Sequence, residues 1–454
     1  MRKYLSMLPF SLMVTLIFVV MITAGGVASP SPKIASNEPL VDSYKTPIVL
    51  SCSNLWDGQA DKPLGPMEIL VKDGKIVEMS TKVSKPDGAK VVQLTKHMVT
   101  PGFIDCHMHL TFNPYNSAVM ITQSQSQALL SAFRPLRLVL MNGFTTVRDV
   151  ASMPQWNFLT VDMKHAIDRG EIIGPRMIVA PHCITSLGGH GDFTGMLAPE
   201  IYESLHVYIV ADGPDEIQKE VRDEIRGGAD WIKFAGTGGF MSPTSDPGVA
   251  TYTQEEINIL VKTAQDQGIP VCVHAYGDEG AKRAIIAGVD SIEHANMASL
   301  DTLNMMESNG TYIVPTQYCF VEPLANLNNS TYWANKSPWL YKKYVKYGPA
   351  ILQCQKNLAN SNVKIAFGTD AGSLPFEDEP KEFSAMVKNG ITPLRALKAA
   401  TSTAAEMLRR PDLGVLAVGR TADIIAMPGD PFQDINVTGK VDFVMKDGKV
   451  YKQP

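Results

Sequence analysis

The sequence has no Cys-x-x-Cys pair, no block or stripe of basic residues, and no second apolar run as long as the one near its N-terminus. Its six cysteines, Cys52, Cys106, Cys183, Cys272, Cys319 and Cys354, are widely spaced, and several lie inside apolar runs. That pattern suits buried thiols rather than a disulfide framework, with one incidental bridge left open in an oxidising compartment. The 41 basic residues face 46 acidic ones for a formal charge of -5, so the chain carries no electrostatic footprint for nucleic acid. The run Gly236-Thr237-Gly238-Gly239 lacks the Lys-Ser/Thr ending of a phosphate cradle and reads as a tight turn between a strand and a helix.

What is present is length and apolar content. The 454 residues are 45% hydrophobic and 19% charged, enough for a large core and too many for one compact domain of ordinary size. Arg2 and Lys3 precede an apolar run over 10–23 and a small-residue exit from Ala24 to Ser29. Residues 1–28 therefore read as a signal peptide, which predicts a secreted or periplasmic protein; the alternative is an uncleaved membrane anchor. A polar linker over 29–44 follows. Short runs at 48–50, 67–71, 75–79 and 90–94, separated by Gly and Asp turns, predict small antiparallel β structure over 45–98. The same idiom returns over 411–454, so the two chain ends are expected to build one small β-sandwich domain.

Between them, over 99–410, strand-like runs alternate with helical segments. The runs are 102–105, 145–150, 176–181, 231–235, 271–274, 291–294, 312–315 and 364–368. Eight strands with intervening helices predict an α/β fold of the (β/α)8 TIM-barrel kind, with its site at the C-terminal ends of the strands. The clearest helix is the last, with Thr392 as N-cap, Pro393 at the first helical position and a body running to Arg409.

Five of the runs end in a metal-capable side chain. His107 and His109 are two apart, so on a strand they share a face and can grip one ion. Lys233, His274, His294 and Asp370 close other runs. Four His, one Lys and one Asp at one barrel mouth fit one or two divalent ions, zinc by ligand type. An ammonium cannot bind a cation, but a buried neutral lysine can react with carbon dioxide to give a carbamate that bridges two metals. The other reading of Lys233 is a salt bridge to an acid such as Asp149. Asp370 either binds metal and moves a proton or caps the loop that follows. Arg148 either meets a substrate carboxylate or pairs with Asp149 or another acid.

On these residues the chain resembles the amidohydrolase superfamily across nearly all of its length after the signal segment. It is similar to the binuclear subtype with a His-x-His pair, a carboxylated lysine, two further His and an Asp. Trp231-Ile232-Lys233, His274-Ala275-Tyr276-Gly277 and Gly188-Gly189-His190-Gly191-Asp192 are similar to the Xaa-Pro dipeptidase group, which includes ochratoxin-hydrolysing amidases. The resemblance implies hydrolysis of an amide in a dipeptide of the Xaa-Pro type or an N-acyl amino acid with a free carboxylate. It implies two divalent ions on His107, His109, Lys233, His274, His294 and Asp370, with N6-carboxylation of Lys233 and a hydroxide between the ions. Asp370 is implied as the proton shuttle, and Tyr276 and His190 as contacts to the substrate carbonyl or carboxylate; a homo-oligomer is implied as well.

Tyr276 lies two residues beyond His274, on the same strand face, although a core tyrosine fits that position too. His190 lies in a glycine-rich loop, where the backbone could approach a ligand and an exposed histidine fits equally well. His182 is a weaker candidate behind the site. The aromatic excursion over 317–349 either roofs the site or packs on the barrel's outside. A lactonase or cyclic-amide hydrolase on the same centre, and a non-catalytic metal-binding scaffold, are the other functions open to this sequence.

Overall fold

The computed structural model describes residues 41–115, 122–152, 158–192 and 209–454. The expected signal segment and residues 29–40 of the expected linker lie outside them. In chain order the strands are β1 (Val41–Asp42), β2 (Ile48–Leu55), β3 (Gly65–Lys72), β4 (Lys75–Ser80), β5 (Lys90–Pro101), β6 (Phe103–Met108), β7 (Phe144–Asp149), β8 (Arg176–Val179), β9 (Cys183–Thr185), β10 (Ile209–Val210), β11 (Ile232–Ala235), β12 (Val271–Ala275), β13 (Ser291–His294), β14 (Tyr312–Val314), β15 (Ile424–Pro428), β16 (Phe443–Lys446) and β17 (Lys449–Lys452).

Both chain ends join one eight-stranded sheet in the order β1-β17-β16-β15-β5-β2-β3-β4. The seam is the antiparallel pairing of β15 with β5, from Ile424 opposite Pro101 to Pro428 opposite His97. Alternation puts Ile48, Leu50, Ile69, Val71, Leu94 and Val99 from the first half against Ile424, Ala426, Phe443 and Met445 from the second, in one apolar core. Val41 pairs with Val450, so Val41 and Asp42, within the expected linker, are already sheet.

The centre consists of parallel strands alternating with helices. β6-β7-β8 form one arc and β10-β9-β11-β12-β13-β14 the other. Every residue of β6 and β7 is buried, as parallel strands covered on both faces must be. Helices begin where the sequence supplies caps. Ser124 and Gln127 form a reciprocal capping box at Gln125–Met141, and Thr253 and Glu256 do so at Gln254–Gln265. No helix among the described residues is long and apolar enough to cross a membrane. All six cysteines are free thiols.

Three local expectations need correction. β9 was not anticipated; its three residues pair with both β10 and β11. The run 364–368 is not a regular strand. It bonds β14 on one side, through Ile313 N to Lys364 O (3.0 Å) and Ala366 N to Ile313 O (2.9 Å). On the other it meets β6 through Cys106 N to Phe367 O (2.8 Å), but Phe367 gives its own N–H to Ala399 O (3.0 Å), which breaks the ladder. The last helix is two helices, Pro393–Ala399 and Ser402–Met407, interrupted at Thr401 with φ -136 and ψ -99. The break has a use: Ala400 O, released from helical bonding, accepts Ile104 N at the start of β6 (2.8 Å).

Candidate metal centre

β6 delivers His107 and, one residue past its end, His109. Asp105 fixes that end by accepting His107 N (2.9 Å) and Thr369 Oγ1 (2.6 Å), which straps β6 to the segment carrying Asp370. Gly368 permits the close approach, since a Cβ there would lie 2.3 Å from Val314 Cγ1 and 2.8 Å from His107 Cβ. The donor atoms of His107, His294 and Asp370 all fall within 4.8 Å of one another. His109 joins them, its Nε2 3.3 Å from Asp370 Oδ1, with His107 Nε2 3.7 Å from the same oxygen.

The other nitrogen of each imidazole is occupied. His107 Nδ1 lies 2.7 Å from Glu293 Oε2, His109 Nδ1 3.0 Å from Ala151 O, and His294 Nδ1 2.8 Å from Thr316 Oγ1. Each ring therefore presents Nε2 to the centre. Burial holds His107 far below the ordinary imidazole range and His294 down at about 3, so both are neutral. Burial pushes the Asp370 carboxyl up, but the His109 bond and the neighbouring imidazoles outweigh it and hold the group below the usual range. Neutral imidazole nitrogens with orienting partners, converging on a carboxylate, are a donor set that fits a divalent ion such as zinc.

Backbone strain is concentrated here. His294 (φ 72), Thr316 (φ 42) and Asp370 (φ 62) adopt left-handed conformations without being glycine, at a cost of roughly 1–3 kcal/mol each. His274 stands slightly apart. Its ring is 4.8 Å from that of His294, and its Nε2 lies 3.3 Å from Gly238 O. Lys233, on β11, is 3% exposed, and no described acid lies within salt-bridge distance of it. Asp149 instead accepts Leu110 N (2.7 Å) and Ala151 N (3.4 Å), so the Lys233–Asp149 salt bridge is not formed.

Of the two readings of Arg148, pairing with another acid is the one the structure forms. It pairs with Glu293 (Nη2 to Oε1, 2.6 Å) rather than Asp149, donates Nε to Cys106 O (2.7 Å), and lies over the Trp231 ring at 4.4 Å. Fully buried and with these bonds made, it is a support for Glu293 and not an anchor for substrate. Glu293 is the functional residue that sequence reading missed: it links Arg148, Ser291 and His107. Cys319 was missed as well, with Sγ 3.4 Å from Thr369 O and 4.0 Å from Asp370 Oδ2; a lone cysteine in an apolar helix gives no signal.

Tyr276 stacks on His294 with ring centroids 4.6 Å apart and is met edge-on by Phe240 and Phe320. Burial raises its phenol well above the ordinary range, so it stays a donor. His190 is half-buried rather than exposed. It stacks on His274 at 4.0 Å, with Nδ1 2.8 Å from Ser242 Oγ. Burial and the Lys233 charge bring it to about 3. His182 pairs with Glu224 at 2.5 Å and meets Phe158. The 317–349 excursion reaches the site wall: Phe320 and Tyr344 pack on Phe240 with ring centroids 5.3 and 4.9 Å away.

Comparison with known proteins bears on this geometry. The model of the amidohydrolase family matches residues 98–451. Ochratoxinase of Aspergillus niger is 30% identical over 419 residues, 87% of this chain and 84% of that protein. The crystal structure of a Xaa-Pro dipeptidase with bound methionine in the active site is 33% identical, with a TM-score of 0.80 over 90% of this chain and 100% of that one. A prolidase complexed with N-methylphosphonate-L-proline is 29% identical, with a TM-score of 0.80 and the same coverage. These likenesses imply a TIM barrel with an extra domain.

Proposed function

The chain belongs to the amidohydrolase family, and from that premise we propose that this hydrolase cleaves the amide of a dipeptide of the Xaa-Pro type or of an N-acyl amino acid with a free carboxylate. The observation that carries the reading is the convergence of His107, His294 and Asp370 donors within 4.8 Å, beside a buried lysine with no acid among the described residues within salt-bridge distance. In this reading His107, His109, His274, His294 and Asp370, with Lys233 as its carbamate, would hold two divalent ions. Bound zinc would supply a water acidic enough to attack at neutral pH and a Lewis acid for the amide carbonyl.

The remaining work falls to the chain's own groups. Asp370, held as a carboxylate, takes the proton released by the attacking water and returns it to the leaving amine. Tyr276, with its phenol protonated, donates to the carbonyl oxygen as charge develops there. Neutral His190 donates from Nε2 to the substrate carbonyl or carboxylate. Phe240, Phe320 and Tyr344 form an apolar wall suited to a hydrophobic acyl group.

The wider architecture in this proposal is a closed (β/α)8 barrel over 99–410 and a β-sandwich from 45–98 and 411–454, supported by the shared core of both sheet halves. Export on the strength of residues 1–28, and a homo-oligomer, belong to the same proposal. The test is amino-acid release by zinc-loaded protein in bicarbonate buffer across Xaa-Pro and other dipeptides, N-acyl amino acids and lactones. Turnover concentrated on amides with one carboxyl-terminal residue is the expected result. Turnover of lactones alone would replace the reading with that of a lactonase, and silence across the panel with full zinc would leave a binding protein.

A further inference from the structure

After β11 the chain from Gly238 to Gly248 forms an irregular loop, and one face of the helix Pro338–Ala359 pins it. Lys343 donates to the carbonyls of Gly239 (2.7 Å), Ser245 (2.6 Å) and Ser242. An ammonium has three N–H groups, and here they meet three carbonyls of a single loop. One turn further, Lys346 pairs with Asp246 at 2.8 Å and the Tyr347 hydroxyl donates to the same carboxylate. Lys346 is 61% exposed, so that pair is screened and holds little. The half-buried carbonyl clamp is the stronger grip.

The gripped loop is also the one that supports the site. Gly238 O lies 3.3 Å from His274 Nε2. Gly239 sits under His190, where a Cβ would come within 2.1 Å of Nδ1. Ser242 gives its carbonyl to Lys343 and presents its hydroxyl to His190 at 2.8 Å. A single residue thus connects the helix to the imidazole. We infer that Lys343 is a positioning residue for the reaction, acting through Ser242 and Gly239 to hold His190 flat against His274. The inference rests on the reading of His190 as a substrate contact.

Lys343→Met removes the donors and keeps the apolar stem. Hydrogen–deuterium exchange across 238–248 should quicken, while zinc content stays at the wild-type level. For the amide with the highest kcat/KM in the panel above, KM should rise by about ten-fold with kcat little changed, the size of one lost charge-assisted bond. Ser242→Ala, which leaves the helix untouched, should move KM the same way and carries the test if Lys343→Met fails to fold. The double variant of Lys343→Met and His190→Ala should be no worse than His190→Ala alone. Additive losses, or unchanged exchange and KM in Lys343→Met beside an impaired His190→Ala, would overturn the inference alone. Wild-type kinetics in His190→Ala would overturn the reading of His190 and the inference with it.

Discussion

At the scale of single residues, Lys233 is the costly one: a buried amine with no described acid within salt-bridge distance. Replacing it with an apolar side chain of similar length should stabilise the metal-free protein by about 1–3 kcal/mol, because an uncompensated buried charge is removed. Lys233→Met should therefore resist urea better than the wild type in chelator, yet bind less zinc and lose activity. Equal or lower resistance would mean that the amine is already satisfied. Glu293 gives a second expectation. Glu293→Gln should weaken zinc binding by about 10–100-fold, the usual effect of losing a carboxylate behind a metal-binding histidine; competition titration against a zinc chelator measures it, and wild-type affinity would remove Glu293 from that role. His107 and His109 were legible because a strand has a period of two. Glu293 was not, because the same period sends it to the face opposite His294. The left-handed turn at His294 (φ 72) lets both neighbours meet the His107 side chain.

At the scale of elements, strand-ending runs were readable from apolar stretches and their punctuation, while tertiary bonds moved what lay between. The helix 392–409 looked continuous by propensity, but Ala399 and Ala400 spend their carbonyls on Phe367 and Ile104. The helix Lys381–Lys388 carries Glu382, whose two oxygens accept Gln317 N (2.8 Å) and Tyr318 N (2.6 Å) where the helix Tyr318–Ala325 begins. Burial raises this carboxyl to about 8 from 4.5. A raised folded value means that its stabilisation is complete below the unfolded value and is lost as pH climbs through the folded one. The buried histidines, lowered in the fold, act oppositely but below about 6.5, near their unfolded value. Stability of the metal-free protein should therefore fall between pH 6.5 and 8.5, by up to about 2 kcal/mol from Glu382. Urea midpoints across that window test this, and a flat or rising trend would refute it.

At the scale of the whole molecule, the sequence made plain that both ends share a β idiom, since their turn spacing matches, but strand order is not written in any local pattern. β15 sits beside β5 and continues through β16 to β17. Ending the chain after Asp442 removes β16 and β17, uncovers the edge of β15 and exposes core residues such as Ile424. Such a chain should aggregate, as seen by size-exclusion chromatography; a soluble, monodisperse product would show that the rest of the sheet stands alone. The same seam sets a clock. β5 ends at Pro101 and its partner across the seam begins at Ile424, so during synthesis at roughly 5–20 residues per second β5, with β2 already available on its other side, waits about 20–60 s for its second neighbour. Throughout that interval one edge of β5 offers its unpaired N–H and C=O groups to any neighbouring strand, a standing opening for mispairing.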